Sequence, residues 1–281
     1  MPLGYPKFTQ NNSIYMLLDG AKIDELGALI YMTDSAVDAS PLYVGTPLAS
    51  ILPVSPWLLT VKDFDTYRLL LEKAQPNGAG LVIESSACLA ELVKFWKMRL
   101  FTLLDGQEAL FRLYEPSVLS ALLMESSPFE RAQLMGPNDV IWYWDEKRKG
   151  WQHEVNDTKQ AASLIDKFAL TSSHLAALTA QKKIKYEEQV YTHINRYFPG
   201  VITDKEQGHV LAKRLIDKSV SLGFSTGQSL FYFVNIWVAL GADCLDNDMH
   251  PEISRLLTQP SQLSHAARIE RAALLARQVK T

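Results

Sequence analysis

Few residues in this chain have the type and spacing to do chemistry. Cys88 follows an apolar run and stands near a helix start, where the helix macrodipole could lower a thiol pKa. No base stands near it in sequence, and a small residue packed against a sheet reads the same way. Ser85 and Ser86 occupy the same turn. Without flanking glycines they read as helix caps rather than as a nucleophile elbow. Arg112 and Glu115 fall at the end of a run, Ala109 to Tyr114, that reads as a buried strand. Such a pair could be catalytic, or could be a hub that ties a strand end to a helix start. A hydrolase or transferase site built on Cys88, Arg112 and Glu115 requires all three to converge in one pocket. Asp243, Asp246, Asp248 and Glu252 form an acidic cluster without the glycine and spacing of a calcium-binding loop, which suits an inter-helix loop in which Asp248 caps the next helix. The histidines, at 153, 174, 193, 209, 250 and 265, include no pair at i+3 or i+4, and the chain has no GxSxG, Gly-rich phosphate loop, HExxH or paired CxxC. No catalytic, cofactor or metal site is assigned.

The elements that must position these residues sit in a chain of 281 residues, 47% hydrophobic and 21% charged, enough for one large or two modest globular domains. The two cysteines, Cys88 and Cys244, suggest no disulfide framework, so a reducing compartment is expected. The segment Met1 to Ser13 lacks the apolar core of a signal peptide, and the longest apolar run, Leu230 to Leu240, is far short of a membrane span of about 20 residues. The chain therefore reads as soluble and cytoplasmic, with no membrane partner. A net charge of −3 argues against a nucleic-acid partner. Residues 1–160 carry −6 and the remainder +3, as two lobes meeting different surfaces would.

Up to about residue 160, strand-like and helix-like segments alternate. Ile14 to Leu18, Trp57 to Val61, Gly80 to Glu84, Ala109 to Tyr114, Val140 to Trp144 and Trp151 to Val155 read as strands. Asp24 to Tyr31, Asp63 to Ala74, a stretch with Leu89, Leu92, Val93, Trp96 and Leu100 on one face, and a stretch opened by Pro116 read as helices. Asp105-Gly106 is a hairpin-type turn signal. After about 160 the strand signals vanish. Helices are expected up to Pro199-Gly200, after a Thr203/Glu206 capping box, after a Ser225/Gln228 capping box, and over Leu263 to Arg277. The expected fold is an α/β lobe, a mixed sheet with flanking helices over 1–160, followed by an all-α helical lobe over 161–281.

Taken in order, the N-terminal pieces resemble the chaperone and adaptor family that loads type VI secretion effectors. The pieces are Tyr15-Met-Leu-Leu-Asp-Gly-Ala21, Ser55-Pro-Trp-Leu-Leu59, Gly80-Leu-Val-Ile-Glu-Ser85, Leu104-Asp-Gly106, Phe111-Arg-Leu-Tyr-Glu-Pro-Ser-Val-Leu119 and Gly136-Pro137 before a tryptophan-bearing strand. The family pattern is similar to YALLDGA, GPWLV, FRYYDPRVL and FGP. Here Glu115 stands where Asp is usual, Ser117 where Arg is common, and Leu134-Met135 precedes the Gly-Pro. The resemblance covers about residues 14–145 and implies a non-enzymatic adaptor without cofactor. Its implied partners are a type VI effector, bound near the effector's N-terminal region, and the C-terminal part of the trimeric VgrG spike. The residues matching its motifs, Asp19, Gly20, Trp57, Arg112, Tyr114, Glu115, Pro116, Gly136 and Pro137, are expected to be structural.

Partner-binding candidates come from the residues themselves. Trp142, Tyr143, Trp144 and Trp151 form an aromatic cluster, and strand alternation puts Trp142 and Trp144 on one face with Tyr143 on the other. The helix SLFYFVNIWVAL, with Phe231, Phe233 and Trp237, is apolar nearly all round, as is a helix buried in a bundle or covered by a partner. If buried, Asn235 within it needs a hydrogen-bond partner. An immunity-type protein that neutralises a toxin is the alternative in the same binding class.

Overall fold

Tyr15 to Asp19 are all buried, which a strand achieves only when both its faces are covered. In the computed structural model this strand, β1 (Ser13–Asp19), lies inside a six-stranded sheet. The structure describes residues 6, 8, 12–33, 38–104, 106–145, 148–157 and 165–279. Its other strands are β2 (Ala39–Pro41), β3 (Pro56–Thr60), β4 (Gly80–Ser85), β7 (Val140–Asp145) and β8 (Gly150–Val155). Their order is β2-β3-β1-β4-β7-β8, and every neighbouring pair is antiparallel.

Alternation along β1 divides the core in two. Met16 and Leu18 pack with Trp57, Leu59 and Val82 beneath α1 (Leu26–Tyr31) and α2 (Phe64–Ala74), which contribute Leu26, Ile30, Tyr67, Leu70 and Leu71. Tyr15 and Leu17 face the other way. There Leu81, Ile83, Ile141 and Tyr143 meet α3 (Leu89–Met98), α4 (Pro116–Glu125) and α5 (Pro128–Met135) through Phe95, Trp96, Leu119, Leu122, Leu134 and Met135. A small mixed sheet joins this second core: β5 (Phe101–Leu104) pairs antiparallel with β6 (Gln107–Leu110) and parallel with β9 (Phe168–Ala169).

Several local expectations are corrected. The strand expected over Ala109 to Tyr114 stops at Leu110, because Phe111, Leu113 and Tyr114 leave the ladder to enter the core. Asp63 caps α2, its side chain accepting from the Thr66 N–H. Cys88, not Ser85 or Ser86, is the N-cap of α3, with Glu91 reaching back to the Cys88 N–H. Asp105 lies outside the described residues, and Gly106 beside it has φ 76°. A strand does occur after residue 160, since β9 pairs with β5.

The chain divides into two compact units, 1–179 and 180–281. Helix α6 (Ser172–Tyr197) carries it from one to the other. Over its described residues the second unit is helical: the end of α6, α7 (Lys205–Ser221), α8 (Gly227–Leu240), a 3-10 turn over Gly241–Leu245, α9 (Pro251–Thr258) and α10 (His265–Val279). Both expected capping boxes there sit one residue early. Asp204 caps α7 by accepting from Gln207 N–H, and Thr226 caps α8 by accepting from Ser229 N–H. The α9 N-cap is His250, not Asp248. The core gathers Val190, Ile194, Leu215, Phe224, Phe233, Val234, Leu257 and Ile269. By length and composition Gly227–Leu245 would pass as a membrane span. The α-helical part has 14 residues, about 21 Å against a hydrocarbon core of about 30 Å, and its Phe233 and Val234 are fully buried.

Candidate partner-binding surfaces

The motif residues of the first unit are tied to one another. Asp19, 2% exposed at the end of β1, receives an N–H from Arg112 Nη2 and accepts from the Ala21 N–H at 3.0 Å. Arg112 lies 5.6 Å above the Tyr114 ring, and the Tyr114 and Tyr43 hydroxyls are 3.4 Å apart. Burial works against the Arg112 charge, but Asp19, Tyr114 and Glu115 outweigh it and hold the guanidinium above its usual value. Burial, then the Tyr43 hydrogen bond, pushes the Tyr114 phenol far above its ordinary range. Glu115, the α4 N-cap, reaches Lys22 at 3.9 Å, and Lys22 donates to Gly78 O at 3.1 Å. Pro116 then opens α4 without needing a hydrogen-bonded N–H. Gly20 completes this knot, since a Cβ there would lie 2.3 Å from Ser55 O. Trp57 packs beside it, opposite Leu18 in the ladder and edge-on to Tyr31.

A second knot closes around Gly136 and Pro137. Gly136 has φ 52° and ψ −129°, and a Cβ on it would meet the Phe95 ring at 2.2 Å. Pro137 O accepts from Ser85 Oγ at 2.6 Å. Ser85 thus ties a turn to the sheet instead of capping a helix. Asn138, buried next to it, accepts from Trp96 Nε1 at 3.3 Å.

The scattered-site enzyme reading predicts that Cys88, Arg112 and Glu115 share a pocket. Cys88 is exposed at its helix start, while Arg112 and Glu115 engage Asp19, Tyr114, Lys22 and Ser117. The acidic cluster stays apart as well, with Asp246 Oδ1 accepting from the Asp248 N–H. Among the described residues no group of three His, Cys, Asp or Glu is placed to hold a metal ion. The histidines serve packing: His174 is buried against Ser126 at 2.9 Å, and His209 stacks on Tyr191.

The aromatic strands behave as alternation requires. Tyr143 faces the α3–α5 core, where its hydroxyl reaches Ser120 at 3.2 Å and Glu154 at 3.4 Å. Trp142 and Trp151 pack on the opposite face. Trp142 donates its indole N–H to Glu84 at 2.7 Å and lies tilted against the His153 ring with centroids 4.5 Å apart, and Trp144 lies edge-on to Trp151 at 5.9 Å. Trp142, Trp144 and Trp151 remain half-buried on the strands β7 and β8. Sequence reasoning passed over two residues here. Glu84, 0% exposed, holds Trp142 from inside an apolar strand. Arg99, also buried, donates to Gln133 O at 3.1 Å and Ile165 O at 3.0 Å. Burial lowers its pKa, which Asp166 only partly restores. A charge set in an otherwise apolar run is the signal that could have marked Glu84, whereas Arg99 follows Lys94 and Lys97 and carries no such signal.

In the second unit the three α8 candidates separate. Phe233 is fully buried in the bundle. Trp237 is half-buried under Arg214, whose guanidinium lies 5.0 Å from its ring. Phe231 is half-buried 4.9 Å from His193. Next to it, Asn235 finds its partner inside the unit, its Oδ1 lying 2.7 Å from His193 Nε2. That pair borders a groove of about 660 Å³ between the end of α6, α8 and α10, with Tyr197, Ile236, Ala239, Ala273 and Ala276 among its lining residues.

An α/β unit whose motif side chains bind one another, with half-buried aromatics on its sheet, and a helical unit with an open apolar groove, make a construction suited to binding other proteins. Residues 14–133 match the DUF4123 family, a domain of unknown function. Over 275 residues, 94% of this chain and 88% of the relative, the sequence is 27% identical to accessory protein VasW of Vibrio cholerae serotype O1. No solved structure matches. Residues 14–133 thus carry this domain, over the same stretch that holds the adaptor-like motifs, and the likeness to the accessory protein runs through both units.

Proposed function

We propose that this protein is a cytoplasmic chaperone and adaptor that binds one cognate type VI effector, near the effector's N-terminal region, and delivers it to the C-terminal part of the VgrG spike. The observation that carries this reading is the family match over 14–133, whose motif residues Asp19, Gly20, Arg112 and Glu115 form an internal knot rather than the lining of a reaction pocket. The half-buried tryptophans of β7 and β8 and the groove of the second unit are the surfaces for partners. The reading involves no catalysis, cofactor, nucleic acid or membrane.

The test is a deletion in the native bacterium with the secretion system active. Loss of secretion of a single effector, with VgrG still exported and secretion restored by the gene in trans, supports the adaptor. Unchanged secretion of every effector contradicts it. Protection of cells from the toxic domain, without any secretion defect, would mark an immunity protein.

A further inference from the structure

Helix α8 is apolar nearly all round, yet among its residues only Ser229, Leu230, Phe233, Val234 and Ile236 are buried. Four-residue spacing lines up Phe231, Asn235 and Ala239 on one side of it. Asn235, Ile236 and Ala239 line the groove from that side. The facing residues on α10 are Ala273 and Ala276, small side chains that leave open the space a leucine would fill. His193, Tyr197 and Phe198, at the end of α6, form the third wall. The volume of about 660 Å³ lies in the range of working binding sites, about 300–1,000 Å³.

The chemistry of the lining selects its occupant. Most of the lining is apolar, with the His193–Asn235 pair set into it, and among the described residues it contains no carboxylate. Arg277 is part of the lining, and Arg196, outside it, lies 5.4 Å from the ring of the lining residue Tyr197. A mostly apolar trough with one arginine in its lining and another beside it complements a helix that presents large apolar side chains at three- and four-residue spacing with an acidic residue beside them. We infer that this groove receives such an amphipathic, acid-flanked helical segment of the cargo effector. The inference rests on the adaptor reading and assigns cargo recognition to the second unit.

The probe is the effector that co-purifies with the tagged chain, identified by mass spectrometry and then expressed and purified. Binding is compared for the unaltered chain, Ala239→Trp, Arg277→Glu and Arg277→Lys, with circular dichroism and melting as folding controls. A photo-crosslinking benzoylphenylalanine is placed at position 239 and, as a control, at position 129 on α5. Expected results are at least a tenfold loss of affinity for Ala239→Trp and Arg277→Glu, about 1.4 kcal/mol or more, and near-normal binding by Arg277→Lys. Crosslinks from 239 should map to one acid-flanked apolar helix of the effector. Unchanged affinity in folded Arg277→Glu, or crosslinks from 239 only to a second copy of this chain, overturns the inference while leaving the adaptor reading intact. If Ala239→Trp fails to fold, Arg277→Glu and the crosslinks decide. If the unaltered chain captures no effector, the adaptor reading falls and takes this inference with it.

Discussion

Arg112, just beyond strand β6, donates to the carboxylate of Asp19 at the end of β1, so that the loop before α4 is anchored to the central strand of the sheet. Asp19 is buried, whereas the Arg112 side chain is 37% exposed. Removing the cation leaves a buried carboxylate with one fewer donor, but solvent screens part of the loss. Arg112→Ala should therefore cost about 2–3 kcal/mol, below the 3–5 kcal/mol of a fully buried pair. Urea denaturation checks this, and Arg112→Lys should recover only part of the loss because it lacks the planar fork.

Gly136 is under the tightest steric constraint in the first unit. Gly136→Ala would drive a Cβ into the Phe95 ring at 2.2 Å and hold an alanine at positive φ. The expected destabilisation is about 3 kcal/mol, read from the denaturation midpoint. Gly106→Ala, where φ is also positive but no atom lies within 4 Å of a Cβ, should cost only about 1 kcal/mol.

How legible the molecule was can be judged from these same residues. Short continuous apolar and aromatic runs located β1, β3, β4 and β7, and helical spacing located α2, since a strand buried on both faces leaves an unbroken apolar trace and a half-buried helix a periodic one. Capping was read less well. Several Ser, Thr and Asp residues compete within a residue or two of each helix start, and the backbone at Asp204 and Thr226 decides which one caps. The end of β6 was missed because Phe111 and Tyr114 are as apolar as strand residues while packing into the core from a turn. The Asp19–Arg112 pairing spans 93 residues, a separation that no local pattern encodes. The groove was unreadable for a related reason. It arises from three alanines and a histidine–asparagine pair that only the packing of α6, α8 and α10 brings together.

The cysteines should react very differently. Cys88 is exposed, and Cys244 is fully buried in the second unit. Burial, followed by Asp243, pushes the Cys244 thiol up to about 11 from a usual 9.0. A thiol reagent should modify Cys88 within the dead time of mixing and Cys244 only on unfolding, as two separate steps in mass spectrometry. Because the folded-state pKa is raised, the native protein holds this proton more tightly than the unfolded chain. The contribution is complete below pH 9 and is lost as pH rises from about 9 to about 11. The stability of Cys244→Ala should therefore fall less steeply across that window than that of the unaltered protein.

The surfaces and the motif knot make different demands on the same assay. Trp151→Ala leaves the Asp19–Arg112 anchor untouched and should shift stability by about 1 kcal/mol, since that indole is half-buried on the edge strand β8. If β8 forms part of a partner surface, the same change should lower recovery of the effector or VgrG several-fold. Equal recovery from a folded Trp151→Ala protein would remove this strand from the binding surface.

The central claim, that this chain connects an effector to the spike, is tested most directly by affinity purification of the tagged protein from its native bacterium with secretion switched on. The account predicts recovery of one type VI effector at near-stoichiometric amounts, with VgrG present when that effector is expressed and depleted when its gene is deleted. A clean preparation containing neither protein, from cells shown to be secreting, would contradict it.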